Sequence, residues 1–496
     1  MLEASAHLHL KALLAGEGQE RWPHHLTLCR LVARSLRRRD HTLIRLAVGC
    51  DPSWLISLLV PLTLVETPVA LVVDAPLRRR LLQREWPRLR AAGLDLGCWE
   101  GACQPPPQQL WLLDPGELLA AWRGGLLADR QLVVAGAERL EQQLRQAMAL
   151  RIRPGDWDQL RRAIPRAEPT LLTLHGRLSR RVLGQPRHPQ HRVALAPEDE
   201  APLRQLLALL EPLPQPWASW LGAAGEGWTS WAEVDAVLLQ WDLHRQPLAP
   251  LAELAGLLQD RGAVLIGELP RLRGPSGGDR AGIQAPSGLQ AAAGIPGLQK
   301  PVVVDLGDPP LADPLPVYCP LRQPLPNSPV YGEHLLDHCR RLILGQEGLT
   351  VILLDDPALR LALTSGLAAE FGSRVVHAST APESHGVVCA SWSWWLEHQE
   401  RLPLPSQIVV ALLPIASLED PLTAARVSGL RRQGGDWFRN LLLPEAINHL
   451  QRGVAGVRRS GGRLALLDGR VRGREWGRGV LGALEPWVLL ARLLPS

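Results

Sequence analysis

Apolar residues along this chain repeat with two different periods. Residues 26–36 recur at helical spacing, residues 42–48 form a short apolar run closed by Gly49, and residues 53–64 return to the helical period. A β-branched run at 69–73, an arginine-studded helical stretch at 77–89 and further strands at 110–113 and 131–134 extend the same order. Strands that are apolar throughout, separated by helix-length segments, predict a parallel sheet covered on both faces.

Between residues 151 and 258 the pattern changes to helical segments rich in Leu and Trp, which predicts a helical insertion. Strands resume at 263–266 and 301–305, on either side of a Gly-, Pro- and Ala-rich stretch at 271–300 that is expected to be a surface loop. A proline-rich passage at 308–329 is expected to be the hinge into a second α/β unit. That unit has strands at 350–354, 374–377, 386–390, 407–412 and 463–467.

Composition narrows the chemistry more than it narrows the fold. The 496 residues are 46% hydrophobic and 21% charged, which are ordinary globular values and set disordered and fibrous classes aside. Only two lysines occur, Lys11 and Lys300, so arginine supplies nearly all of the 54 basic residues. A G-x-x-x-x-G-K-[ST] loop places a lysine ammonium against the phosphates, and neither lysine lies in such a context, so an ordinary Walker A site is excluded and a lysine Schiff-base mechanism is not expected. The net charge of +5 permits an anionic partner, and with 18 Trp against 2 Tyr and 2 Phe any base stacking must use tryptophan. Seven cysteines without small-domain spacing suit a reducing, cytoplasmic setting. The apolar stretch 54–73 is interrupted by Pro61, Glu66 and Pro68, and His7, His9 and Lys11 interrupt the amino-terminal one, so neither membrane insertion nor export is expected.

The most specific order lies near the carboxyl end. A strand at 408–412 leads to Leu413-Pro414, then Asp420-Pro421, Arg426, Phe438, Pro444, Ala446, Gln451, Arg458, Asp468, Arg470, Trp476-Gly477 and Pro486. This order resembles the carboxy-terminal domain of the DinG and XPD-type superfamily 2 DNA helicases. The resemblance implies two tandem RecA-like (P-loop NTPase-type) parallel-sheet domains. The first would comprise residues 1–150, a helical insertion at 151–258 and a return at 259–310, and the second residues 311–496.

The resemblance also implies ATP and Mg²⁺, but the residues that would serve them are altered. Where the family has its ATP loop this chain has Val48-Gly49-Cys50-Asp51-Pro52-Ser53-Trp54, leaving Gly49 and Ser53 as the nucleotide-binding remnants. The acidic motif is replaced by Ala135-Gly136-Ala137-Glu138, which removes the Mg²⁺-linked carboxylate and the water-activating glutamate. Ile266-Gly267-Glu268-Leu269 stands where the family has Ser-Ala-Thr-Leu. Gln451 and Arg458 match the arginine-finger segment as the catalytic remnant, while Ala455 replaces its first arginine. Cys98 and Cys103 alone fill an interval in which many family members hold four cysteines, so no iron–sulfur cluster is expected. His334 and His338, spaced i, i+4, have neither an intervening glutamate nor a third ligand, so no metal site is assigned.

Between Gln451 and Arg478 eight arginines face Asp468 and Glu475, a strip suited to phosphates, with Arg452 and Arg459 as candidate nucleic-acid contacts. Trp392 and Trp394 are the candidate stacking platforms for single-stranded bases. The expected function is a DinG-like nucleic-acid-binding protein, a pseudoenzyme with weak or absent ATP hydrolysis, whose partner is single-stranded or duplex DNA; the family setting implies DNA repair. Two alternatives stand beside it. One is an active ATP-dependent helicase in which Arg45 replaces the lysine and Asp51 or Asp114 the metal ligand; the other is a scaffold that binds protein through Trp-rich surfaces.

Overall fold

The protein's computed structural model describes residues 2–490 except 17–21, 51, 102, 186–190, 211, 224, 226, 236, 260, 269–294, 307–312 and 345. The first sheet collects strands β1 (His41–Arg45), β2 (Val69–Val72), β3 (Cys98–Glu100), β4 (Leu110–Leu113) and β5 (Gln131–Ala135). The insertion contributes β6 (Leu150–Ile152), β7 (Arg192–Leu195), β8 (Trp228–Asp235) and β9 (Gln240–Pro247), after which β10 (Ala263–Gly267) and β11 (Val302–Asp305) return to the first sheet. The second domain carries β12 (Leu315–Tyr318), β13 (Thr350–Leu353), β14 (Val375–His377), β15 (Val387–Ala390), β16 (Gln407–Val410), β17 (Arg463–Leu466) and β18 (Trp487–Leu489).

Both large sheets are parallel, in the orders β11-β1-β10-β5-β2-β4-β3 and β14-β15-β13-β16-β17-β12-β18. Strands β1, β2, β4, β5, β10, β13, β15 and β16 are buried at every position because both faces are covered. Leu43, Ala70 and Val72 pack into one core of the first domain, while Ile44, Leu71 and Val73 pack into the other with the helix His25–Arg38. The expected strands are all present, with ends shifted by at most a few residues. Three more, β3, β12 and β18, were not legible: each has three or four residues and lies at or next to a sheet edge. The proline-rich hinge thus contains β12, which pairs with β17 and β18.

The insertion is not purely helical, which corrects the expectation. Beside the helices Pro154–Ala163, Glu168–Leu183 and Pro197–Ala208 it holds a four-stranded antiparallel sheet, β6-β9-β8-β7. Burial along β9 alternates, with Trp241, Leu243, Arg245 and Pro247 inward. An inward arginine hides that period in the sequence, and it is tolerated because Glu200, also buried, accepts its guanidinium at 2.7 Å. Trp157, Trp217, Trp220 and Trp241 form this unit's core. The unit reaches the second domain where Arg192 pairs with Asp420 at 2.7 Å.

Candidate functional site

The carboxyl ends of β1, β10, β5 and β2 converge on one edge of the first domain, the place where parallel α/β sheets expose their loops. After β1 the chain turns at Gly49 with φ +75°, and the Cys50 amide closes that turn on the Ala47 carbonyl at 3.1 Å. After β5 a second left-handed glycine, Gly136 at φ +77°, leads to Glu138 and Arg139. After β10, Gly267 lies so close to the Glu138 carboxylate and amide that a side chain there would have no room, and the Glu268 amide donates to Glu138 Oε2 at 3.1 Å.

These loop ends carry a charged cluster. Arg139 pairs with Asp74 at 2.5 Å and with Glu138 at 3.3 Å, while Asp74 also caps the following helix by accepting the Leu77 amide at 3.0 Å. Burial raises the Asp74 carboxyl, opposed by the Arg139 charge. The Glu268 carboxyl is pushed up to about 7, first by burial and then by the Glu138 charge. Arg452, the nearby Gly49 backbone and Arg139 pull the other way.

The opposite wall is the helix Leu443–Arg459 of the second domain, and its rotation decides what each residue does. Arg452, Ala455 and Arg459, spaced i, i+3, i+7, share the face toward the first domain. Arg452 Nε lies 3.8 Å from Glu268 Oε2, Arg459 donates to the Gly49 carbonyl at 2.8 Å, and Ala455 abuts Gly49 itself, its Cα 3.3 Å from where a glycine Cβ would stand. Gln451 and Arg458 share a different face, turned into their own domain. Gln451 donates to the Ala483 carbonyl at 2.8 Å, and Arg458 donates to the carbonyls of Leu484 and Pro486.

Several expected site residues therefore take other places. Arg458, expected as the catalytic remnant with Gln451, holds the carboxy-terminal segment to its own domain, and Arg452 and Arg459, expected to contact nucleic acid, lie in the interdomain contact. Successive helix positions differ by about 100°, so a shift of one residue exchanges the two faces. Trp392 is 1% exposed and its indole donates to the Leu412 carbonyl at 2.9 Å, which makes it core rather than a stacking platform. Trp394 is half-buried and stacks on His398, with centroids 4.7 Å apart. Arg45 pairs with Asp305 on the neighbouring strand, and Asp114 forms a capping box with Glu117, so these two of the three substitutes named for an active helicase are engaged elsewhere. Asp51 lies outside the described residues, and Ser53 sits in the turn Pro52–Trp54 before the helix Leu55–Leu64.

Ala455 of the second domain covers the Gly49 turn, and Arg452 of the same helix faces Glu268 beside it. No group of three or more His, Cys, Asp or Glu able to hold a metal occurs among the described residues. No helix among them is long and apolar enough to cross a membrane.

Sequence reasoning missed a surface cluster on the second domain. Trp437, Phe438 and Trp476 form a half-buried aromatic row, with Phe438 5.4 Å from Trp476 and 6.0 Å from Trp437. The Arg431 guanidinium lies 4.9 Å over Trp437, and Arg439, Arg474 and Arg478 are exposed around the row, against Asp436 and Glu475. Trp437 and Phe438 are adjacent in sequence, and only folding brings Trp476 to them.

Two parallel-sheet domains in tandem, with an insertion in the first, thus meet where the helix Leu443–Arg459 covers the carboxyl edge of the first sheet. No protein-family model matches the chain. Over 105 residues it is 32% identical to the ATP-dependent DNA helicase YoaA of Haemophilus influenzae, a stretch making up 21% of this chain and 16% of that relative. The same figures hold for YoaA of Escherichia coli K12, so the match spans about a sixth of these relatives' length. The fold is that of S. tokodaii Xpd4, with TM-score 0.61 and 12% identity over 95% of this chain and 100% of the other. It is also that of an apo XPD structure, with TM-score 0.59 and 11% identity over 94% and 100%. The sequence relatives and the fold together support the resemblance to the DinG/XPD-type superfamily 2 helicases.

Proposed function

We propose that this chain is a nucleic-acid-binding protein on a helicase fold, with little or no ATP turnover. The single observation that carries the reading is the self-occupied ATP edge: Ala455 covers the Gly49 turn, Arg452 faces Glu268 beside it, and Ala135 and Gly136 stand in place of the acidic motif. Phosphoryl transfer relies on cations and carboxylates free to meet the phosphates and Mg²⁺, whereas the guanidiniums and carboxyls of this edge pair with one another. The aromatic row of Trp437, Phe438 and Trp476 with its arginine fringe favours nucleic acid as the partner, because stacking faces beside guanidiniums suit single-stranded bases and phosphates together.

The test is fluorescence anisotropy of single-stranded DNA across a salt series, with and without Mg-ATP, following hydrolysis in the same samples. With about four phosphate contacts the slope of log affinity against log salt is about −3 on a single strand. Replacing Arg474 and Arg478 together by alanine should bring it to about −1.5. Binding that is unaffected by ATP, without hydrolysis, supports the reading. DNA-stimulated hydrolysis overturns its catalytic half, and failure to bind DNA or RNA at low salt overturns the other half.

A further inference from the structure

The helix His25–Arg38 packs its apolar side into a core of the first domain and leaves Thr27, Arg30, Arg34, Arg37 and Arg38 exposed. No acidic residue occurs in the helix, so its solvent side is a row of arginines at i, i+4, i+7 and i+8. Arg37 pairs with Glu3 at 2.6 Å, while among the described residues Arg30, Arg34 and Arg38 have no ion pair. Asp40, just past the helix, accepts the hydroxyls of Ser35 and Thr42 at 2.8 and 3.1 Å. Arg39 and Lys300 continue the exposed charge beyond the helix end, Lys300 following Gln299, whose amide donates to His41 Nδ1 at 2.8 Å. We propose that this row is a second nucleic-acid site that grips the phosphate backbone of a duplex, running to the amino ends of the strands and away from the Gly49 turn.

Like charges four residues apart repel on a helix, and no acid among the described residues pairs with Arg30, Arg34 or Arg38 to offset it. The helix dipole favours cations in the last turn, which accounts for Arg37 and Arg38 but not for Arg30 and Arg34. A phosphate polymer supplies the missing charge, and the arginine fork pairs with phosphate oxygens bidentately. Arg30 and Arg38 stand about 12 Å apart along the helix axis. A duplex carries a phosphate about every 1.7 Å of its length, twice the density of one strand, so a rigid row meets more charge on a duplex. The exposed positions of the helix carry no aromatic ring, so unpaired bases find nothing to stack on there. Trp437, Phe438 and Trp476 of the second domain offer such faces, which separates the two sites by chemistry as well as by place.

The site goes beyond the single-strand contact of the proposed function and is read separately from it. The full chain is titrated against a short, blunt, fluorescently labelled DNA duplex across a salt series, followed by anisotropy. Arg30→Gln, Arg34→Gln and Arg38→Gln together should flatten the slope of log affinity against log salt by about 2.7. The melting temperature of that variant should be no lower than that of the wild type. Replacing Arg153, Arg166 and Arg177, exposed arginines of the insertion, by glutamine removes the same charge and should leave the slope unchanged. Absence of duplex binding at low salt, an unchanged slope in the helix variant, or an equal loss in the insertion variant overturns the site. A loss of the same size on single-stranded DNA overturns the assignment to duplex. Displacement by polyglutamate as effective as by unlabelled duplex would assign the row to acidic protein and overturn the phosphate contact. Hydrolysis of ATP, or absent single-strand binding, bears on the proposed function and leaves the duplex slope to decide this site.

Discussion

Ala455 of the second domain rests against Gly49 of the first, leaving no space for a side chain on the glycine. At φ +75° the glycine's left-handed backbone would itself strain any L-residue, so position 49 is constrained by its own turn and by the neighbouring domain together.

Gly49→Ala should cost about 2–4 kcal/mol of stability, the sum of left-handed strain and overpacking. Ala455→Gly in the same chain should recover the overpacking share and leave the strain. Urea unfolding of both single variants and the double variant separates the two. A double variant no more stable than Gly49→Ala alone would show that the two residues do not touch in solution.

The His449 ring is pushed down to about 4, first by burial and then by the Arg452 charge. Unfolded, it titrates near 6.5, so the unfolded chain binds the extra proton first. The stability it contributes is complete above 6.5 and lost as pH falls toward 4. Thermal unfolding between pH 4 and 7 should show this loss, and His449→Gln should flatten it; an unaltered profile in that variant would remove His449 as its source.

Trp395 is fully buried, and its indole donates to the Gly453 carbonyl at 2.9 Å, where Gly453 leaves room for the Trp392 ring. Trp395→Ala should cost about 3–5 kcal/mol. Trp392→Phe should lower the melting temperature while the salt slope of DNA binding keeps its wild-type value. A changed slope with unchanged stability would return Trp392 to the nucleic-acid surface.

Asp420 has two tasks, capping the helix Pro421–Arg432 through the Thr423 amide at 3.0 Å and receiving Arg192 from the insertion. Asp420→Ala should cost about 1–2 kcal/mol through the lost cap, whereas Arg192→Ala, a partly exposed pair, should cost at most about 1 kcal/mol. The arginine variant should instead raise the rate at which limited proteolysis cuts the insertion. Equal proteolysis of both proteins would mean that the pair does not hold the insertion against the second domain.

The expected strands of the two large sheets were legible because strands buried on both faces are apolar at every position, and no tertiary detail is needed to see that. The missing lysine and the altered acidic motif were equally plain, since the loss of a required residue type is a property of the sequence. The insertion's sheet was not, because an inward arginine on β9 becomes compatible with burial only beside Glu200, 45 residues away.

The site was divided in the same way. That Gly49, Glu138, Glu268, Arg452 and Arg458 lie in degenerate helicase motifs follows from their order along the chain. Which of them meet does not follow, because one residue's difference turns a helix by about 100° and exchanges a cleft-facing arginine for one anchored in its own domain. The approach of Arg452 to Glu268, the closure of the Gly49 turn by Ala455 and the packing of Trp476 on Phe438 join residues far apart in sequence. The sequence alone determined the helicase-like order of elements and the absence of the lysine and acidic residues from the ATP-site motifs; packing of the two domains alone determined what fills the cleft.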